Sequence, residues 1–191
     1  MQYFGYSGVI VVGTNRSGSH MACDMLYRKS TNANKLYLNE LLQLPPLNPN
    51  SLIFCSIANT ETKTSLAMDL SWMSDYYIVN IRRRNKVAQY ISFCILRAQN
   101  SLGIYNHAPE WDDYKHLLPL TSTEEDIDYF ILSQHLDFMF TPNQIIYYED
   151  LVETDNDTMY IKTQYPVPLE ELVTNYEFIK RKLEKYSYNG R

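Results

Sequence analysis

The chain has 191 residues, 45% hydrophobic and 20% charged, with a formal net charge of −5 at pH 7. That length is enough for one domain, 1–191, with a sizeable core, and the acidic balance argues against nucleic-acid binding through a broad basic face. No apolar run approaches the ~18 residues of a membrane span, and the first eight residues lack the basic and apolar segments of a secretory leader, so a cytoplasmic protein with no membrane association is expected.

The first strand-like run is 9–12, followed by a small polar turn and a helix that starts near Ser19 with Met21, Ala22, Met25 and Leu26 on one side. A short strand candidate at 35–38 precedes a loop marked by Pro45, Pro46 and Pro49. Further strands are expected at 52–56 and 76–81. Val87, Ala88, Ile91, Ile95 and Ala98 then share one helical face. The segment 101–121 reads as a long loop of the kind that contacts substrates. Ser122-x-x-Glu125 has the form of a capping box opening a helix, with Ile127, Phe130, Ile131, Gln134 and Phe138 along it. A strand at 144–148, a loop at 153–158 and a helix over about 169–185, after Pro166 and Pro168, complete the pattern. The alternation predicts an α/β fold, a three-layer α/β/α domain with a short parallel sheet. Cys23, Cys55 and Cys94 are odd in number and form no C-x-x-C pair, so buried free thiols are expected. The four histidines, His20, His107, His116 and His135, have no metal-ligand spacing.

Two stretches carry chemistry. The first is Gly8-Val9-Ile10-Val11-Val12-Gly13-Thr14-Asn15-Arg16-Ser17-Gly18-Ser19-His20. Strand, glycine-spaced turn and helix start follow in the order that binds phosphate, because successive backbone N–H groups and the positive helix end converge on an anion. Gly13 and Gly18 stand as G-x-x-x-x-G, but Ser19 and His20 follow where an NTPase loop needs Lys and Ser/Thr. The only cation in the loop is Arg16. A P-loop-like site for phosphate, without the lysine and hydroxyl that serve Mg-ATP, is therefore expected.

The second stretch runs from Ile81 to Ser92. Arg82, Arg83 and Arg84 fall where a buried strand ends and a helix begins, at the expected carboxyl edge of the sheet, where open α/β folds bind ligands. Asn85, Gln89 and Ser92 form a polar stripe along that helix. Arg84 and Ser92 are placed to clamp an anion between guanidinium and hydroxyl. A solvated basic turn is the alternative reading of the arginines.

Together these stretches resemble sulfotransferases that use 3′-phosphoadenosine 5′-phosphosulfate, and among them the bacterial carbohydrate enzymes of the trehalose 2-sulfotransferase kind. The family's phosphosulfate loop, roughly T-x-x-R-S-G-S-T, compares with Thr14-Asn15-Arg16-Ser17-Gly18-Ser19-His20. Its 3′-phosphate segment, R-R-x-K-V-A-Q-A-x-S, compares with Arg83-Arg84-Asn85-Lys86-Val87-Ala88-Gln89-Tyr90-Ile91-Ser92. Tyr148-Glu149-Asp150-Leu151 matches the Y-E-D-L that follows a late strand. The motifs span about residues 9–151. His20 departs from the usual hydroxyl residue, Asn85 from the usual aspartate, and no Arg-Lys-Gly loop is evident.

The resemblance implies a phosphosulfate donor as co-substrate and no metal. It implies that Asn15, Arg16, Ser17, Gly18, Ser19, His20, Arg82, Arg84 and Ser92 bind the donor. Arg16 would stabilise the charge growing on the leaving phosphate oxygen. Glu40, twenty-four residues after Arg16, is the candidate general base for an acceptor hydroxyl on a carbohydrate or other small molecule. Acceptor contacts are expected from 39–50 and 101–121. A nucleotide or small-molecule kinase and a non-catalytic nucleotide-binding module are the alternatives.

Overall fold

The computed structural model describes residues 6, 8–14, 16–28, 35–38, 51–55, 71–103, 111–134, 141–154 and 165–189. The fold is mixed α/β. Strands β1 (Gly8–Gly13), β2 (Lys35–Leu38), β3 (Ser51–Cys55), β4 (Tyr77–Arg82) and β5 (Gln144–Tyr147) pair in the order β2-β3-β1-β4-β5. Every pairing is parallel. A central parallel strand is covered on both faces and needs an unbroken apolar run, which the Val-Ile-Val-Val stretch supplies. Every residue of β1 is buried.

Contacts within the chain divide it into two compact units, Met1–Arg84 with Ser133–Asn156, and Asn85–Leu132 with Asp157–Arg191. The first holds the sheet, α1 (Ser19–Arg28) and α5 (Tyr148–Thr154). Helix α1 buries Met21, Ala22, Met25 and Leu26, the apolar side expected from its spacing, and Cys23 as well.

The second unit holds α2 (Lys86–Ser101), α3 (Trp111–Tyr114), most of α4 (Glu124–Gln134) and α6 (Tyr176–Asn189). Asn85 caps α2, its side-chain oxygen accepting from the Ala88 N–H at 2.9 Å. Asn and Asp cap helices about equally well, so an asparagine here costs the helix nothing. The predicted face of α2 is inside: Ile91 and Ile95 are buried with Tyr90, Phe130, Ile179 and Leu183 in one core, and Val87 packs against it. Tyr90 meets Phe130 edge-on at 5.2 Å between ring centres, the arrangement that ring quadrupoles favour.

Several boundaries differ from the sequence expectation. The capping box of α4 is formed by Thr123 and Asp126, each backbone N–H donating to the other's side chain at 3.1 Å. The Ser122 hydroxyl lies instead against Cys94 Sγ at 3.8 Å, while Asn175 Nδ2 donates to the Ser122 carbonyl at 2.7 Å. The expected final helix is interrupted. Residues Leu169–Glu171 form a 3-10 turn, Val173 bridges to Leu120, and α6 starts only at Tyr176.

Within the expected long loop, α3 and a 3-10 turn at Lys115–Leu117 give local order, with Trp111 edge-on to Tyr114. Strand β5 ends at Tyr147, and Tyr148 already opens α5. Phe138 lies outside the described residues. Cys23 and Cys94 are in no disulfide, the first buried and the second half-buried, while the Cys55 side chain is outside the description. Among the described residues no helix is long and apolar enough to cross a membrane.

Candidate functional site

All five strands run the same way, so their carboxyl ends share one edge of the sheet. From β1 the chain moves to β2 and β3 on one side, and from β4 to β5 on the other. The crevice between the ends of β1 and β4 is therefore the switch point, where open parallel sheets bind ligands. The register sets Gly13 opposite Ile81 and Arg82 opposite Tyr147. Three segments singled out in the sequence thus leave the sheet side by side: 14–20, 82–84 and 147–151.

The loop after β1 turns sharply. The Ser17 N–H donates to the Thr14 carbonyl at 3.1 Å, and the Ala22 N–H to the Gly18 carbonyl at 3.0 Å, where α1 takes over. Arg16 has φ 60° and Gly18 φ 94°. For arginine the left-handed region costs roughly 1–2 kcal/mol. Such a conformation persists only where the surroundings fix it, and Arg83 Nη1 donates to the Arg16 carbonyl at 3.3 Å. Gly13 is required by close approach, since a Cβ there would collide with Ser17 Oγ and lie 3.2 Å from the Ile81 carbonyl oxygen. The root of the loop is held by a buried pair: Thr14 Oγ1 donates to Gln134 Oε1 at 3.1 Å.

Each of the three arginines has its own anchor. Arg82 Nε donates to Asn80 Oδ1 at 3.3 Å. The Arg83 guanidinium lies 4.6 Å from the centre of the Tyr148 ring. Arg84 makes a two-pronged ion pair with Asp150 and lies 4.1 Å over the Tyr147 ring. The hydrogen bond from Arg84 holds the Asp150 carboxyl below the usual carboxylate range, and the same bond raises Arg84, so both stay charged.

The sequence candidates separate into distinct placements. Arg16, Gly18 and His20 are half-buried at the loop and the start of α1, while Ser19 is buried. Ser17 is wholly buried and its hydroxyl, without a hydrogen-bond partner, faces Gly13, so it shapes the loop from behind. Arg82 and Arg84 stand at the carboxyl edge in the first unit. Ser92 belongs to the second unit and is buried in α2, as is Gln89, which accepts from Lys86 Nζ at 3.1 Å. Asn15, Glu40, His107 and His135 lie outside the described residues.

Sequence reasoning passed over Asn80 and Tyr147, and it named Gln134 only as a position on a helix face and Tyr148 only as part of the Y-E-D-L motif. The signal for Asn80 was available: an asparagine inside the apolar run of β4, now fully buried, needs a polar reason to be there. Among the described residues no three His, Cys, Asp or Glu side chains gather to hold a metal ion. No protein-family model, curated protein or solved structure matches this chain.

Proposed function

We propose that this protein is a sulfotransferase that uses 3′-phosphoadenosine 5′-phosphosulfate and transfers the sulfuryl group to a hydroxyl of a carbohydrate or another small molecule. The observation that carries the reading is the adjacency of the 14–18 turn and the Arg82, Arg83, Arg84 run at the switch point of the sheet. A donor with phosphate groups at its 5′ and 3′ ends calls for two such cationic elements. These cations form a local cluster in a chain that as a whole carries −5.

In this reading the domain is a three-layer α/β/α sandwich and the 14–18 turn is a P-loop-like cradle for the phosphosulfate. Its N–H groups and Arg16 take the charge that develops on the leaving phosphate oxygen. Arg84 contacts the 3′-phosphate, with Arg82 contributing charge beside it. The donor supplies an activated sulfuryl group. The acceptor oxygen forms a bond to sulfur as the bond from sulfur to the 5′-phosphate oxygen breaks. Glu40 takes the acceptor proton, and adenosine 3′,5′-bisphosphate leaves.

The test is transfer of labelled sulfate from the donor to a panel of sugars and small hydroxyl compounds without added metal. A labelled ester formed by the wild-type protein, and lost in Glu40→Gln while donor binding persists, supports the reading. Donor binding without transfer to any acceptor would favour a non-catalytic module, and phosphate transfer from Mg-ATP would favour a kinase.

A further inference from the structure

The 147–150 segment grips Arg84 at three points. The Tyr147 ring lies beneath the guanidinium at 4.1 Å. Glu149 Oε2 accepts from the Arg84 backbone N–H at 3.0 Å. Asp150 accepts one N–H from each terminal nitrogen, Nη2 at 2.8 Å and Nη1 by a shorter bond. An arginine carries five N–H donors in a planar fork, and a carboxylate that takes the terminal pair leaves the Nε–H edge outside that contact. The pair is about half-exposed, with side chains 51% and 53% accessible, so it is open to an incoming anion. Surface ion pairs of this kind contribute little to stability. Three holds on one exposed side chain therefore have their main consequence in orientation.

Resting on the nucleotide reading above, we propose that Asp150 is a positioning residue that holds Arg84 over Tyr147 with the Nε–H edge turned to a phosphate monoester at the second phosphate position of the nucleotide. The cost of ordering a long side chain is then met before the ligand arrives, which is the physical content of preorganisation. Asp150 itself does not touch the ligand. Its carboxylate repels a phosphate, so removing it acts in two opposing directions. Loss of a negative charge favours the anion, and loss of orientation disfavours it. Orientation is the larger effect in this proposal.

The experiment is calorimetric titration of the full chain with adenosine 3′,5′-bisphosphate and with 5′-AMP, for the wild type, Asp150→Ala, Asp150→Asn and Asp150→Glu. Both Asp150→Ala and Asp150→Asn should bind the bisphosphate roughly fivefold more weakly, with AMP affinity unchanged and serving as the internal check on folding. Asp150→Glu should recover most of the loss. Tighter bisphosphate binding in Asp150→Asn would overturn the proposal and make Asp150 a competitor of the phosphate. An equal loss for both nucleotides, or no change for either, would also overturn it. A wild-type protein with no preference for the bisphosphate would instead remove the nucleotide reading, and this proposal with it.

Discussion

The ring of Tyr148 lies so close to Gly18 that a Cβ on Gly18 would collide with its Cδ2 edge. The same ring carries the Arg83 guanidinium at 4.6 Å, and Arg83 holds the Arg16 carbonyl. A residue of β5's successor helix is thus built into the turn after β1, which joins two of the three motifs physically.

Gly18→Ala should therefore lose stability twice over, from φ 94°, which costs roughly 1–2 kcal/mol for a residue with a Cβ, and from the collision. Anion affinity should fall with it. Adding Tyr148→Ala should relieve the collision and leave the backbone cost. Urea unfolding of the two single variants and the double variant measures both parts, and simple additivity would contradict direct contact.

Thr14 is 2% exposed and Gln134 is 1% exposed, so their hydrogen bond is made out of water. Thr14→Val keeps the shape and removes the donor, at about 0.5–1.5 kcal/mol for one such bond. A urea midpoint equal to the wild type's would show that the buried pair does not anchor the loop.

Acid should loosen the start of α4. Burial alone would raise the Asp126 carboxyl, but hydrogen bonds from the Thr123 side chain and backbone and from Arg97 outweigh it and hold Asp126 below its ordinary value of 3.8. A carboxyl lowered in the folded state contributes stability that is present above the unfolded value and lost as pH falls through the folded one. The loss should begin below about pH 4. Asp126→Asn should be less stable at neutral pH and show a shallower acid limb, read from unfolding midpoints between pH 2 and 7.

Arg16→Ala should reduce turnover more than it reduces affinity for adenosine 3′,5′-bisphosphate. The loop N–H groups remain, while the charge that appears only in the transition state loses its partner, on the order of 10²–10³ in rate. Single-turnover kinetics beside nucleotide titration separates the two effects. Turnover near the wild-type rate would take Arg16 out of the chemistry.

Much of the sheet was legible because parallel strands with both faces covered leave continuous apolar runs. The 9–12 and 76–81 stretches are such runs, the second broken only by Asn80, and they became the adjacent strands β1 and β4. The apolar faces of α1 and α2 followed from helical spacing in the same way. What sequence did not reveal was long-range. Ser122 and Thr123 are equal candidates for a helix cap until the Ser122 hydroxyl settles against Cys94, twenty-eight positions away. The helix expected from about 169 is interrupted because Leu120 pairs with the backbone on either side of Val173, its N–H donating to the Leu172 carbonyl and its carbonyl accepting from the Thr174 N–H, both at 2.9 Å. At the site, loop and arginines were readable as motifs, but their anchors were not. Asp150 pairs with an arginine sixty-six positions away, and no local pattern encodes that.

The most direct measurement is a calorimetric comparison of adenosine 3′,5′-bisphosphate, 5′-AMP and Mg-ATP on the full chain, with a chelator present for the first two. The bisphosphate should bind far more tightly than AMP, by the worth of one charge-assisted contact, ~1.5–3 kcal/mol or roughly tenfold to a hundredfold, with no need for magnesium. Equal affinity for the bisphosphate and AMP, or tight binding of Mg-ATP alone, would contradict a site for a 3′-phosphorylated sulfate donor.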